Sequence, residues 1–365
     1  AMLVFTVFLM LLVGAVFAYS PASILGDMTA GNGANLQMIT MIWVGVIIVY
    51  YILATMLPIS DIIGRIYPVF SVALIFMAVA LMTVLIAKWP SLPELWDGVS
   101  NLGAKEGLVG LGGQTVFPCL FITIACGAIS GFHATQSPMM ARCMKNEKYG
   151  RPCFYGAMIT EGVIALIWAA IGSYFVFDGG WQEVASDINA ASPKVVKDIS
   201  VGWLGAFGGV LAMLGVVVAP ITSGDTAFRT ARLIVADAFK IDQKPISKRL
   251  AVSVPIFLIA SLILWFSLAE PDGFNLIWRY FGWANQSLSV FTLWALTVFL
   301  YKERPGLKFL ITFIPACFMT SVCITYICVQ KIGFGMPMSW SPWIGLITFA
   351  IPAVIFYIWK SKTTK

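Results

Sequence analysis

The chain has 365 residues, of which 59% are hydrophobic and 11% charged, with a mean hydropathy of +0.89 and a formal net charge of +6. This composition excludes a soluble globular protein and indicates a membrane protein. The basic residues are dispersed among short loops, so the positive charge predicts membrane topology rather than a nucleic-acid surface.

About ten apolar segments are long enough to cross a bilayer, which predicts an all-α polytopic membrane protein. They lie at 2–19, 36–57, 66–87, 112–135, 153–176, 199–220, 249–268, 274–301, 307–329 and 340–360. The first is interpreted as a spanning helix rather than a signal peptide, because it has no basic n-region and is long for an h-region. We expect a single transmembrane domain over residues 1–365.

Charge placement predicts the orientation. The loops at 139–152, 221–249 and 302–308 and the C-terminal tail are rich in lysine and arginine, whereas the loop at 178–199 and the short connection that holds Glu270 are acidic or nearly neutral. By the positive-inside rule, both termini of this chain should be cytoplasmic, in a bacterial or archaeal inner membrane.

Several functional classes lack support in the sequence. There is no P-loop, no H-E-x-x-H motif, and only one histidine, so we expect no nucleotide site, no metal or haem cofactor and no catalytic centre. The cysteines form no C-x-x-C pair and are expected to be packing residues. They are Cys119, Cys126, Cys143, Cys153, Cys317, Cys323 and Cys328. The functional classes that remain are a secondary transporter, a channel and a membrane enzyme without a recognisable motif.

The fourth apolar segment breaks into SGFHATQSPMMAR (Ser130–Arg142), which contains the single histidine. Polar, interrupted helix at membrane depth is tolerated where it lines a cavity, and in transporters substrate and ions bind there. His133, Thr135, Gln136 and Ser137 are therefore candidates for substrate or proton handling. Alternatively, the helix simply ends at Ser137-Pro138 and His133 satisfies a buried acceptor.

Glu161 lies about two turns into the next apolar segment, and an ionisable group at that depth predicts a function by default. The simplest role is proton acceptor. The alternative is a structural ion pair with Arg151 or another basic residue. Gly162, beside Glu161, would allow a neighbouring helix to approach closely.

Residues 219–226, APITSGDT, mark the expected end of the sixth segment and the start of another helix. Ser223 or Asp225 would cap that helix, and Asp225 and Arg229 are spaced to form an i,i+4 ion pair. Equally, hydroxyls and a carboxylate at a helix N-terminus would suit an ion or substrate site.

The eighth apolar segment contains RYFGWANQ (Arg279–Gln286). Arg279 near its outer end is positioned to snorkel to the interface. Asn285 and Gln286 lie deeper and must find partners, because unpaired amides in hydrocarbon are costly. They either hold helices together or line a translocation path.

Three runs resemble the carbon starvation protein A (CstA) family. They are LFITIACGAISGFHATQSPMMARCMKNEKYGRPCFYGAMITEG (Leu120–Gly162), GVVVAPITSGDTAFRTAR (Gly215–Arg232) and RYFGWANQ. The resemblance implies a LeuT-like, inverted-repeat core of the amino acid–polyamine–organocation superfamily, with interrupted helices. It also implies peptide uptake under carbon limitation or proton-coupled pyruvate uptake. Family members typically begin with additional hydrophobic segments, so we expect this chain to lack the N-terminal helices of the full family domain.

Together with the residues above, the resemblance implies a secondary transporter that imports pyruvate or short peptides, with the lipid bilayer, a small-molecule substrate and a coupling ion as partners. We expect His133, Thr135, Gln136, Ser137 and Asn285 to contact substrate. Two carboxylates, Glu161 and Asp225, are expected to couple transport to an ion. A metabolite-responsive sensor or channel is the alternative. The sequence does not decide whether the substrate is pyruvate or a peptide, or whether the coupling ion is a proton or sodium.

Overall fold

A computed structural model describes residues 2–30, 35–56, 60–90, 92, 116–124, 127–177, 191–270, 273–304 and 306–363. Within these residues the regular structure is helical. The α-helices are α1 (Met2–Thr29), α2 (Leu36–Met56), α3 (Ser60–Lys88), α4 (Phe121–Ile124), α5 (Phe132–Cys143), α6 (Ala157–Phe177), α7 (Ala191–Ala238), α8 (Ile246–Ala269), α9 (Gly273–Glu303), α10 (Leu310–Val329) and α11 (Ser341–Thr363). π-helical turns at Val116–Leu120 and Arg151–Gly156 precede α4 and α6.

Seven helices of the described residues are long and apolar enough to cross a membrane, or eight if the bent pair Asp198–Val210 and Met213–Ala238 is one span. Large apolar side chains such as Leu166 and Ile311 are more than 70% exposed, as expected of surfaces that face lipid. The chain is therefore a multi-pass membrane protein.

The expected ten spans are not confirmed. The segment 112–135 lies partly outside the described residues, and its described part is divided among short helices. The segment 274–301 belongs to the continuous helix α9, which contains Arg279, Asn285 and Gln286 and is not among the apolar spans.

The predicted helix boundary at 219–226 is wrong. Helix α7 continues through Pro220, so neither Ser223 nor Asp225 caps a new helix there. The departure from helical geometry occurs at Gly205 (φ 68°, ψ −176°), and Asp198–Val210 is bent by 77° from Met213–Ala238. Proline is tolerated inside membrane helices because neighbouring groups satisfy the freed carbonyl, whereas the left-handed φ at Gly205 favours glycine.

The chain divides into two compact units. The first unit comprises Ala1–Phe5, Glu94–Gly162 and Arg279–Lys365, and the second comprises Thr6–Pro93 and Val163–Trp278. The expectation of a single transmembrane domain over 1–365 stays a prediction.

In the second unit, α3 packs closely against α7. A Cβ at Gly215 would lie 3.1 Å from the Cα of Leu74, so the two backbones are almost in contact. Such small-residue contacts are the usual means by which membrane helices associate. A buried cluster that includes Met77, Leu81 and Ile171 extends this packing to α6.

A second contact of this unit is centred on the fully buried ring of Phe228 in α7. The ring covers Gly14 of α1, where a Cβ would overlap it, and packs against Tyr51 and Phe257 at centroid distances of 5.4 and 4.6 Å. The Tyr51 hydroxyl donates to the Phe17 carbonyl at 3.0 Å. One aromatic side chain thus joins α1, α2, α7 and α8.

In the first unit, α10 and α11 pack through Phe309, Phe313 and Phe356, with Trp294 of α9 against them. Polar contacts support the same helices. Ser321 Oγ donates to the Gly345 carbonyl at 2.7 Å. Two further contacts tie the π-helical turn at Val116–Leu120 to this group of helices: Gln330 Nε2 to Cys119 Sγ, and Ser341 Oγ to the Phe117 carbonyl.

Candidate functional site

The helix interruption that the sequence predicted lies in the first unit, at residues 127–131, between α4 and α5. Helix α5 begins at Phe132 and contains Pro138, so the alternative in which a helix ends at Ser137-Pro138 is wrong. His133 consequently lies in the first turn of a new helix rather than in the last turn of an old one.

Backbone groups freed by this break find partners within it. Ser130 Oγ accepts from the Phe132 amide at 3.2 Å, and the Ser130 carbonyl accepts from the His133 amide at 3.1 Å. The Ala134 amide donates to the Gly131 carbonyl at 3.1 Å. These bonds replace helical ones, which makes an interruption tolerable where water is scarce.

The orientation of the His133 ring follows from one of these bonds. The Ser130 amide donates to His133 Nδ1 at 3.3 Å. Because Nδ1 accepts, the neutral imidazole carries its proton on Nε2. Nε2 in turn lies 4.0 Å from Glu161 Oε2, with the two side chains 36% and 49% exposed.

Two residues predicted separately are thus brought together. The 4.0 Å separation exceeds a hydrogen-bond distance, and the two groups form an ion pair only when the imidazole is protonated. Gly162 of α6 faces the break, where a Cβ would make an ordinary contact of 3.6 Å with the Gly127 carbonyl oxygen. The close helix approach that we expected beside Glu161 stays a prediction.

Asn285 of α9 binds the other side of the break. Its side chain is 1% exposed, and the Ser130 hydroxyl lies 3.1 Å from Nδ2 and 3.2 Å from Oδ1. A hydroxyl both donates and accepts, so one serine satisfies both ends of the amide. Asn285 therefore has the helix-joining role that the sequence left open, and it performs that role at the interrupted helix itself.

Gly131 is essential to this contact. A Cβ there would overlap the main-chain oxygen of Asn285 and would lie 2.8 Å from Leu288 Cβ. Its φ of −62° is ordinary, so glycine is required by the close approach of α9 and not by backbone conformation.

Helix α5 also contains the predicted residues Thr135, Gln136 and Ser137. His133, Gln136 and Ser137 are spaced i, i+3 and i+4, so they share one helix face, and all three are half-buried. Thr135 is buried, and its hydroxyl donates to the Phe132 carbonyl of its own helix at 3.0 Å.

Asp225 belongs to the second unit. Its carboxylate, 2% exposed, pairs with Arg229 Nη2 at 3.2 Å, as the i,i+4 spacing predicted. The same Arg229 nitrogen donates to the Ala54 carbonyl at 3.2 Å, which ties α7 to α2. Within the described residues this arrangement is that of a buried structural ion pair.

Sequence reasoning missed Ser130 as a site residue. Its amide orients His133 and its hydroxyl binds Asn285, so it connects both halves of the site. The available signal was its place directly before Gly131, in a membrane-depth segment that also contains Gly127.

The fold and this site define a class of protein: a multi-pass helical membrane protein in which a histidine and a carboxylate lie beside an interrupted helix. The family model described as Carbon starvation protein CstA matches residues 1–201 and 179–326. The chain belongs to the CstA family.

Individual relatives agree with this assignment. An uncharacterized membrane protein of Haemophilus influenzae is 41% identical over 205 residues, which are 46% of this chain and 55% of the relative. The peptide transporter CstA of Campylobacter jejuni is 27% identical over 317 residues, 71% of this chain and 44% of the relative. The pyruvate/proton symporter BtsT of Escherichia coli is 38% identical over 98 residues, 25% and 12% of the two chains. This chain thus spans about half the length of the first two relatives. No solved structure matches it.

Proposed function

We propose that this chain forms part of a secondary active transporter that imports pyruvate or short peptides together with protons when carbon is limiting. The observation that carries the proposal is the pair formed by His133 and Glu161 beside the break between α4 and α5. Relatives that are named as a peptide transporter and a pyruvate/proton symporter support the two substrate classes. The description of the family model supports a role under carbon starvation.

The hydrogen bonds of His133 suggest how a proton would change the site. Charging the imidazole places a second proton on Nδ1, which turns this atom from acceptor into donor. The Ser130 amide then loses its partner, and an unsatisfied buried donor costs about 1–3 kcal/mol. Because Ser130 also binds Asn285, protonation would loosen the contact between the break and α9.

Glu161 completes this proposed cycle. Its carboxylate lies 4.0 Å from Nε2 and is proposed to accept the proton from the imidazole. His133, Gln136 and Ser137 present hydrogen-bonding groups on one face of α5 for a substrate, with Thr135 on the same helix and Asn285 behind the break. Asp225, in the second unit, is proposed only as an additional coupling residue, because it is paired with Arg229.

The architecture and orientation are part of the proposal. An interrupted helix with functional side chains supports a LeuT-like core. The basic loops support an orientation with both termini of this chain in the cytoplasm of a bacterium or archaeon.

Uptake into proteoliposomes tests the proposal. The full chain is reconstituted, and labelled pyruvate or a labelled dipeptide is supplied with a proton gradient or a sodium gradient imposed separately. We expect one substrate to accumulate above equilibrium with the proton gradient, and a protonophore to abolish the accumulation. Equilibration without accumulation would instead indicate a channel or sensor, and accumulation driven only by sodium would refute proton coupling.

A further inference from the structure

A cavity of about 500 Å³ lies in the first unit, between the C-terminal halves of α9 and α11. Its volume is typical of pockets that bind small molecules. Among the described residues that line it, only Lys302 is charged, and the others are apolar or aromatic. They include Trp294 and Val298 of α9 and Pro352, Phe356 and Trp359 of α11. The cavity therefore suits a ligand that is mostly apolar.

Aromatic side chains hold the cavity open. Trp294 and Phe356 pack together on α10, with their ring centroids 6.0 Å apart. The Trp294 indole N–H donates to Thr320 Oγ1 of α10 at 3.0 Å, which fixes the orientation of its ring. The smaller side chains of Val298 and Pro352 line the same space. Because its walls are fixed by these contacts, the cavity is preformed and a ligand would have little to reorder.

The cavity is charged at one end only. Positions 294, 298 and 302 are spaced i, i+4 and i+8, so they follow one face of α9 over about 12 Å. Lys302 lies in the last turn of α9, and its Nζ is 5.8 Å from the centroid of the Trp359 ring. Trp294 and Phe356 line the opposite end. The cavity thus has a cation where the helix ends and aromatic rings deeper in the segment.

The surroundings of the charged end are also basic. Lys302, Arg304, Lys308 and Lys362 are all exposed. Glu303, also exposed, is the single acidic residue in segments 300–310 and 355–363 of the sequence. An ammonium has three donors and an aromatic ring covers only one side of it, so Lys302 can bind an anion as well as the Trp359 ring.

We propose that this cavity binds an acyl chain of an anionic phospholipid, with the lipid phosphate on Lys302. Such a lipid has the polarity of the cavity, since it is charged at one end and apolar along the rest. Basic residues beside a membrane helix attract anionic lipids, and a lysine at a helix end extends towards their headgroups. The proposed lipid site uses none of the candidate transport residues, so its test does not depend on transport.

Lipid binding to the purified, delipidated full chain in a neutral detergent tests the proposal. Native mass spectrometry compares phosphatidylglycerol with phosphatidylcholine of the same acyl chains. Phosphatidylglycerol with a photoreactive diazirine in one acyl chain is then crosslinked to the protein, and the labelled peptides are identified. We expect phosphatidylglycerol to bind roughly tenfold more tightly than phosphatidylcholine, and the label to lie within 294–302 or 352–359.

Substitutions of Lys302 test the headgroup contact. Lys302→Gln should raise the apparent Kd for phosphatidylglycerol roughly tenfold, because a charge-assisted contact is lost. Lys302→Arg keeps the cation and should restore binding to within about threefold. Lys362→Gln is the matched control, because it removes the same charge from an exposed position in the last turn of α11, outside the cavity. Its apparent Kd should also stay within about threefold.

A larger side chain tests the acyl-chain contact. Val298→Phe occupies part of the cavity without changing the charge, so it should weaken binding of phosphatidylglycerol and remove the label from both peptides. Val354→Phe makes the same substitution on α11 at a position that is 55% exposed and does not line the cavity. That variant should bind and be labelled like the unchanged chain.

Several results would overturn the proposal. Equal affinity for the two lipids, unaffected by Lys302→Gln, would mean that the headgroup is not recognised. A label outside 294–302 and 352–359, or no binding of either lipid, would exclude the cavity as a lipid site. A dimer that forms without lipid and is lost in Val298→Phe would assign the cavity to a second copy of this chain. Because Lys302 is exposed, the unfolding midpoints of its variants without lipid should match that of the unchanged chain.

Discussion

Replacing Gly131 with alanine tests how the interrupted helix is held. The new methyl group would overlap the main-chain oxygen of Asn285 and lie 2.8 Å from Leu288 Cβ, about 1 Å inside the optimal distance between carbon atoms. Because the overlapped oxygen is main chain, α9 must move as a whole. Overpacking of this kind costs about 1–3 kcal/mol, and movement of α9 also weakens the contacts between Ser130 and Asn285.

Against this stands a gain of about 0.4–1 kcal/mol, because alanine restricts the unfolded chain and the φ of −62° at Gly131 suits it. The net effect is a loss of about 1–2 kcal/mol, which lowers the unfolding midpoint of a chain of this length by roughly 2 °C.

Thermal unfolding of the purified variant in detergent measures this loss, and substrate uptake into proteoliposomes should fall with it. Gly282→Ala is the matched control on α9, because its Cβ would make only an ordinary contact of 3.6 Å with Ile122. That variant should be neutral, or more stable by up to about 1 kcal/mol. If Gly131→Ala is as stable and active as Gly282→Ala, the break does not depend on close packing against α9.

Three further predictions concern charged groups. Glu161→Gln should abolish proton-driven accumulation while leaving substrate exchange intact, whereas Glu147→Gln, at an exposed carboxylate, should transport normally; acid-driven uptake by the Glu161 variant would exclude it as the proton carrier. His133→Ala should lose coupled uptake and destabilise the chain by about 1–3 kcal/mol, because the buried Ser130 amide loses its acceptor; unchanged affinity and transport would leave His133 a packing role only. Arg229→Met should destabilise the chain by up to about 3 kcal/mol, the lower end for a buried pair because Arg229 is 30% exposed, by removing the Arg229 partner of the buried Asp225 carboxylate. Adding Asp225→Asn should restore most of this stability in thermal unfolding, and a double variant as unstable as the single one would refute the ion-pair interpretation.

Hydropathy predicted most of the spanning helices, because lipid requires apolar side chains along a whole helix. It was misleading where protein, rather than lipid, surrounds the helix. In α9, Asn285 and Gln286 are 1% and 0% exposed, so polar groups are satisfied inside the fold while they lower the apolar character of the segment. Similarly, the sequence predicted a helix boundary near Pro220, but the residue with non-helical geometry is Gly205, one of 32 glycines with no local signal to distinguish it.

At the candidate site, the residue types were predictable and the contacts were not. A lone histidine and a carboxylate at membrane depth indicated two functional positions. Their 4.0 Å approach depends on how α6 meets the break, which no spacing along the chain specifies. Ser130 was overlooked because serine is also an ordinary packing residue in membrane helices.

The bend in α7 bears on how many times this helix crosses the membrane. Asp198–Val210 is about 20 Å long, too short for a hydrocarbon core of about 30 Å, whereas Met213–Ala238 is about 39 Å long. We therefore expect α7 to cross once. If α6 and α7 each cross once, we expect the basic residues of 139–152 and those that follow α7 to lie on the same side, in agreement with the positive-inside rule.

The number of membrane crossings also bears on the next basic segment. Lys302, Arg304 and Lys308 share that side only if α9, as well as α8, crosses the membrane. We therefore predict that α9 crosses the membrane, although its own composition does not indicate a span.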